Sequence, residues 1–116
     1  MAAVALNTFR TVRHVVSTDN VIVYTCPIGV AAIVLYGTAA YDAAIPGAYT
    51  VTFSHCRPDA PIPDFPIIKD GPVIIDNALN LLTGRLVLET NDELKIQGNT
   101  TGDVKVVISI LETAKS

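Results

Sequence analysis

His55 and Cys56 are neighbouring residues whose types could support nucleophilic catalysis, in which an imidazole takes the proton of a thiol. Residues 49–54, just before them, alternate apolar and hydroxyl-bearing side chains, and this period of two predicts a strand. Successive side chains of a strand point to opposite faces of the sheet. The sequence therefore argues against a catalytic pair of Cys56 and His55.

Metal and cofactor sites would need further ligands. His14 and His55 have no patterned third ligand, and Cys26 and Cys56 lie in separate apolar segments without the spacing of a zinc site or a disulfide framework. We expect both cysteines to be buried free thiols. Neither common glycine-rich phosphate loop occurs, so no metal and no cofactor is predicted.

Two pairs of carboxylates could in principle cleave a glycosidic bond, namely Asp59 with Asp64 and Asp70 with Asp76. Each of these residues stands beside Pro, Gly or Asn, which is typical of solvated turns. No catalytic residue is therefore predicted, and the chain is not expected to be an enzyme.

Arg10 and Arg13 are the basic residues that could act in binding. They stand three residues apart in an otherwise apolar and β-branched run, so in a regular strand they face opposite sides. Charge of this kind suits a solvated sheet edge, and it also suits contact with an acidic neighbouring subunit. Both arginines are kept as interface candidates.

The elements that must position these residues are mostly short strands. Pro-Ile-Gly, Asp-Gly and Asn-rich segments separate the strands as turns, and 76–84 is expected to be an irregular connector with one helical turn. Asp70-Gly71 is expected to be a tight turn, and Thr90-Asn91-Asp92 the turn of a hairpin. Strands are predicted over 8–16, 21–26, 30–38, 49–54, 85–89, 93–97 and 104–110, and 67–69 and 72–75 are short apolar pieces on either side of Asp70-Gly71.

Residues 58–66 hold four of the seven prolines, and the fixed φ and missing N–H of proline exclude a central strand. The segment is predicted to be a stiff, extended loop. It displays Ile62 and Phe65, which would either fold back over the core or contact another subunit. The apolar N-terminal arm, Met1–Asn7, is the other candidate for such a contact, and we predict that at least one of these two segments lies against another subunit.

Composition agrees with an all-β domain. The 116 residues suffice for one domain, and Val, Ile and Thr together make up 38 of them. A net charge of −3, with basic residues scattered singly, argues against nucleic acid as a partner. Residues 20–41 are uncharged, but Pro27, Gly29 and Gly37 favour two strands over a membrane-spanning helix, so no membrane partner is predicted.

We therefore predict an all-β fold: a single-domain antiparallel β-sandwich over 8–116, jelly-roll-like, with seven or eight strands and an arm over 1–7. Eight apolar side chains are predicted to point inward, and they are Val51, Phe53, Leu86, Leu88, Leu94, Ile96, Val106 and Ile108.

The order of segments resembles a family of small virion structural proteins of tailed bacteriophages, including cyanophages. The resemblance covers roughly 8–112 and rests on strand and turn signatures, which are Tyr24-Thr25-Cys26-Pro27, the apolar strand 29–35, Ile67-Ile68-Lys69-Asp70-Gly71-Pro72, Val87-Leu88-Glu89-Thr90-Asn91-Asp92 and Ser109-Ile110-Leu111-Glu112. The loop 58–66 departs from the usual short middle loop of the family.

This resemblance implies a non-enzymatic building block of the virion. The expected partners are further copies of the chain, as a homotrimer, and other virion proteins such as the major capsid protein. Capsid decoration, as a cement protein, is the expected role, and a neck, tail, baseplate or fibre accessory protein is the alternative. A carbohydrate-binding module is a third possibility, but the chain has no Trp to form the usual aromatic platform.

Overall fold

The computed structural model describes residues 7–41, 47–74 and 78–114, and they contain nine strands and no helix. Most of the predicted arm, 1–6, and the carboxylate Asp76 lie outside these ranges, whereas Asn7 begins the first strand. The strands are β1 (Asn7–Val15), β2 (Val21–Thr25), β3 (Val30–Tyr41), β4 (Tyr49–Cys56), β5 (Asp64–Val73), β6 (Ala78–Asn80), β7 (Leu86–Leu88), β8 (Glu93–Gly98) and β9 (Val104–Ala114).

The strands form two antiparallel sheets that face each other as a sandwich. The first sheet has the order β1-β9-β3-β6, with β7 also paired to β3, and the second has the order β2-β8-β4-β5. Because β6 and β7 occupy one position beside β3 as two separate pieces, the nine strands fill the eight positions of a jelly roll. The predicted fold class is therefore confirmed, with nine strands where seven or eight were expected.

The core lies between the sheets, where the alternating inward side chains of both sheets meet. Seven of the eight side chains predicted to point inward are at most 1% exposed, and Leu86 is partly buried against the same cluster. β9 shows the pattern most clearly, since Val104, Val106, Ile108 and Ile110 are buried and the residues between them are not. β9 pairs with β1 on one side and β3 on the other, so it is one of the two inner strands of its sheet.

Three predictions are wrong at 64–80. The Asp70-Gly71 turn does not exist, because Asp64–Val73 is one irregular edge strand in which Asp70 takes a positive φ of 51°. The pairing of β5 with β4 shifts register twice, which accommodates this irregular backbone. The predicted connector contains β6, whose Ala78–Asn80 pairs with β3. The last three residues of the predicted loop, 64–66, lie in β5, so Phe65 belongs to a strand. Pro66 is tolerated there because β5 is an edge strand, where the missing N–H of a proline breaks no pairing.

The predicted hairpin between 85–89 and 93–97 is also wrong. β7 pairs with β3 in one sheet, and β8 pairs with β2 and β4 in the other. The turn at 90–92 therefore crosses from one sheet to the other. Backbone hydrogen bonds tie it to the end of β2, with Cys26 N–H donating to the Asp92 carbonyl and Asn91 N–H donating to the Cys26 carbonyl. Matching apolar periodicity cannot distinguish strands that face each other across a core from strands that pair.

Candidate interaction surfaces

Asp92 is the centre of a polar cluster at one end of the sandwich. Its carboxylate is 1% exposed and accepts hydrogen bonds from His55 Nε2 at 3.0 Å, from Arg57 Nε at 2.9 Å and from the backbone N–H of Glu89 at 2.9 Å. Arg57 also reaches the Glu89 carboxylate at 2.8 Å. The cluster joins β4 to the turn that crosses between the sheets.

The hydrogen bonds of this cluster hold the turn at 90–92 against the end of β4. The hydrogen bonds from Arg57 hold the pKa of Asp92 well below its usual range, even though burial acts in the opposite direction. His55 lies opposite Leu94 and Cys56 lies opposite Glu93, so the two side chains face opposite sides of the sheet, as predicted. Burial raises the pKa of the Cys56 thiol to about 11, which keeps it protonated at neutral pH.

A second polar cluster bridges the two sheets. Glu112 on β9 is buried and accepts hydrogen bonds from Arg10 Nε of β1, at 2.7 Å, and from the Tyr24 hydroxyl of β2. Burial by itself raises the pKa of Glu112, and the hydrogen bonds from Arg10 and Tyr24 outweigh it, so the pKa lies below its ordinary value. Arg10 thus lies on the inner face of β1, with a side chain that is 57% exposed, and pairs with a carboxylate of its own chain.

Arg13 is in a different environment. It lies on the outer face of β1, opposite Val107 of β9, and is exposed. Among the described residues it has no carboxylate partner within ion-pair distance. The prediction that the two arginines face opposite sides is confirmed, and their role at an interface remains a prediction.

Ile62 and Phe65 are 66% and 58% exposed. They line a shallow pocket of about 200 Å³ together with His55, Arg57, Ala60 and Pro63. The loop beneath them is closed by backbone hydrogen bonds from Arg57 N–H to the Pro63 carbonyl and from Ala60 N–H to the Arg57 carbonyl. Neither apolar side chain belongs to the core, and their contact with another subunit is still a prediction.

The outer face of the first sheet carries an apolar row that the sequence analysis missed. Phe9, Leu111, Ile33 and Val87 lie side by side on β1, β9, β3 and β7. Phe9 is 74% exposed and Val87 is 60% exposed, and the two between them are partly buried. With strands about 4.8 Å apart, this outer row spans about 15 Å. Each member comes from a different part of the chain, so only the strand pairing could reveal it.

The structure shows where the histidines and carboxylates considered for metal binding and catalysis lie. His14 lies in β1 and His55 in β4 of the opposite sheet. Within residues 7–41, 47–74 and 78–114, no three His, Cys, Asp or Glu side chains come together as a metal site. Asp64 is bound to Lys95 at 3.1 Å, and Asp59 is exposed in the loop.

The same ranges contain no helix long and apolar enough to cross a membrane.

No protein-family model and no curated protein sequence matches the chain. Its fold is similar to that of a chain in the structure of Bacillus endospore appendages, which form a family of disulfide-linked pili, with a TM-score of 0.58 and 12% identity over 97% of this chain and 89% of that one. A chain of infectious bursal disease virus, Gt strain, matches with a TM-score of 0.47 and 10% identity over 93% of this chain and 33% of that one. At such identities, the likeness to the pilus chain concerns the fold alone.

Proposed function

We propose that this protein is a non-enzymatic structural subunit of a tailed-phage virion, where it decorates the capsid as a cement protein. The observation that carries the proposal is the outer row, because an exposed apolar strip across a four-stranded surface is typical of a surface that contacts another protein. Burying a side chain the size of Phe9 contributes roughly 1.5–3 kcal/mol, and each copy on the particle repeats that gain.

The exposed pair Ile62 and Phe65 supplies a second contact on the other sheet. Ile62 lies in a loop stiffened by prolines and Phe65 lies at the start of β5, so little conformational entropy is lost when the pair docks. Two apolar surfaces on different sheets suit a subunit that touches two neighbours, such as a further copy of this chain and the major capsid protein. A neck, tail or baseplate position on the same particle is the alternative, since these positions need the same surfaces.

The test begins with particles purified from the phage whose genome encodes this chain. We expect the chain to copurify with them and an image reconstruction to place it on the capsid exterior. Absence of the chain from washed particles would overturn the virion assignment. Density at the neck or tail instead would replace the decoration role by the alternative.

A matched pair of variants then tests the outer row. Val87→Ser removes an apolar side chain from the row, and we expect it to lower the occupancy of the particle. Ile28→Ser changes a side chain that is 82% exposed in the β2–β3 turn, away from the row, and should leave occupancy unchanged. Equal occupancy of both variants would show that the outer row is not the attachment surface.

The pilus likeness suggests a second candidate, a subunit of a surface filament. Here the two cysteines are 0% and 2% exposed, so their buried thiols are not placed to form disulfide links between copies. A filament of this chain would have to be held by the apolar surfaces alone. Electron microscopy of the purified protein without reductant separates the two candidates, because only the filament subunit forms fibres by itself.

A further inference from the structure

The free edge of β1 is the long, regular sheet edge of this molecule. β1 is nine residues long and makes nine successive pairs with β9 without a register shift. It contains no proline. In the described part of the chain, its other side pairs with no strand. An edge of this kind presents a row of N–H and C=O groups that a further strand can bind.

The other edges are poor templates for a further strand. β5 carries Pro66 and Pro72, and its pairing with β4 shifts register twice. β2 has five residues and a register shift, and β6 and β7 have three residues each. Prolines, irregular register and short length are among the means by which proteins block edge pairing, and charge is another. Of the edges described, β1 alone lacks the first three, and of its two arginines Arg10 is already paired with Glu112 of its own chain.

The alternation of the ladder identifies the backbone groups that β1 leaves open. Val16, next to the end of β1, donates its N–H to the Val104 carbonyl at 2.8 Å, so this pair is of the hydrogen-bonded kind. Hydrogen-bonded pairs alternate along an antiparallel ladder. The even-numbered residues of β1 therefore bond to β9, and the open N–H and C=O groups belong to Asn7, Phe9, Thr11, Arg13 and Val15.

We infer that the occupant of this edge is β1 of a second copy, paired antiparallel about a two-fold axis through Thr11. This register pairs residue 7 with 15 and 9 with 13, so all five open residues of each strand meet open residues of the other. About ten hydrogen bonds form between the two copies. The first sheet of one copy and the first sheet of the other then form one continuous sheet across the dimer.

The side chains are complementary in this register. Arg13 of each copy lies opposite Phe9 of the other on the outer face, where a guanidinium and an aromatic ring attract each other. Arg10 lies opposite Val12, and its charge is already paired with Glu112 of its own chain. No two like charges face each other. Centring the axis on Arg10 or on Arg13 would instead place two arginines directly opposite.

Charge substitutions at Thr11 test whether the two-fold axis passes through this residue. Thr11→Lys and Thr11→Glu each place two like charges opposite one another, so each variant alone should lose the dimer and sediment at half the wild-type mass. Mixing the two should restore a dimer that contains one copy of each. Ser109→Lys is the control, because Ser109 is the neighbour of Thr11 on the same face but one strand inward. Monomeric wild-type protein, a trimer, or a mixture that stays monomeric would overturn the inference.

Cysteine cross-linking tests the register independently of charge. In the proposed dimer the two copies of Thr11 are directly opposite, within disulfide reach, whereas the two copies of Phe9 are about 14 Å apart along the strands. Thr11→Cys should therefore become a covalent dimer on mild oxidation, and Phe9→Cys should not. Equal cross-linking of both variants, or none at residue 11, would overturn the register.

This inference goes beyond the proposed function and does not depend on it. A two-fold contact gives a dimer in place of the homotrimer that the sequence led us to expect. If the chain is absent from particles but forms the Thr11-centred dimer, the virion role fails and the edge pairing stands. If the chain is on the particle and monomeric in solution, the virion role stands and the edge pairing fails.

Discussion

Tyr24 in one sheet donates a hydrogen bond through its hydroxyl to Glu112 in the other sheet. The same carboxylate accepts from Arg10, so one buried acid connects the edge strand β1, the inner strand β9 and the facing strand β2. An acid inside an apolar sandwich is stabilising only while both of its oxygens have donors. That condition holds here because Arg10 lies on the inner face of β1.

Glu112→Gln should lower the free energy of unfolding by about 1–2 kcal/mol, because the buried carboxylate loses its charge-assisted hydrogen bonds. Urea denaturation followed by circular dichroism measures the loss. Glu89→Gln is the control, since the Glu89 side chain is 68% exposed although it also pairs with an arginine. Equal losses in both variants would contradict the structural role given to Glu112.

Asp92 should make stability depend on pH below about 5. Its pKa in the folded state lies below the ordinary value of 3.8, chiefly because of Arg57, so its contribution is complete above that value and is lost as the pH falls toward the folded-state value. Wild-type protein should therefore lose stability more steeply on acidification than Asp92→Asn. Asp59→Asn, at an exposed loop carboxylate, should follow the wild-type curve. Parallel curves for wild type and Asp92→Asn would show that the cluster contributes nothing through its charge.

Both native thiols should be unreactive while the protein is folded. Cys26 is fully buried, and Cys56 is 2% exposed with its pKa raised to about 11 by burial. A disulfide reagent at pH 8 should modify them at least about a hundredfold more slowly than after unfolding in urea. The exposed thiol of an Ile28→Cys variant gives the reference rate on the same fold, since the side chain at this position is 82% exposed. Rapid modification of two thiols per native chain would disprove their burial.

Gly98 at the end of β8 should tolerate no side chain. A Cβ at this position would lie 2.4 Å from a methyl carbon of Val16, which is fully buried, and 3.2 Å from the Thr50 carbonyl oxygen. Gly98→Ala should cost roughly 1–3 kcal/mol of stability, as overpacking does in other cores. Gly84→Ala is the control, because nothing lies within 4 Å of its added Cβ. Equal stability of the two variants would contradict the close packing.

Replacing both Ile62 and Phe65 by Ser should weaken attachment to the particle without unfolding the sandwich, because both side chains lie outside the core. Deletion of residues 2–7 tests the N-terminal arm separately. The fraction of chain that copurifies with particles measures attachment, and thermal unfolding verifies the fold. Ile74→Ser, at a side chain that is 60% exposed elsewhere, serves as the control. Unchanged attachment of both the loop variant and the deletion would exclude these segments as contacts.

The sequence predicted the fold where periodicity and burial agree. Val104, Val106, Ile108 and Ile110 occupy every second position of β9, and the other face carries Lys105 and Ser109, so the orientation of the strand follows directly. Leu88 and Leu94 were correctly placed in the core but wrongly paired, since burial in a shared core does not say which strands exchange hydrogen bonds. The outer row and the Asp92 cluster could not be predicted, because their members are distant in sequence and meet only through that pairing.

The prolines of β5 limit the edge-to-edge aggregation of this protein at high concentration. Sheets with two open edges can add copies without limit and grow into insoluble fibrils. Here Pro66 and Pro72 close one side of the second sheet, the edges at β2, β6 and β7 are short, and the two-fold contact inferred at β1 would consume the open side of the first sheet. Growth would then stop at two copies. A cell could hold the protein at high concentration as a discrete, soluble precursor until its final place of assembly becomes available.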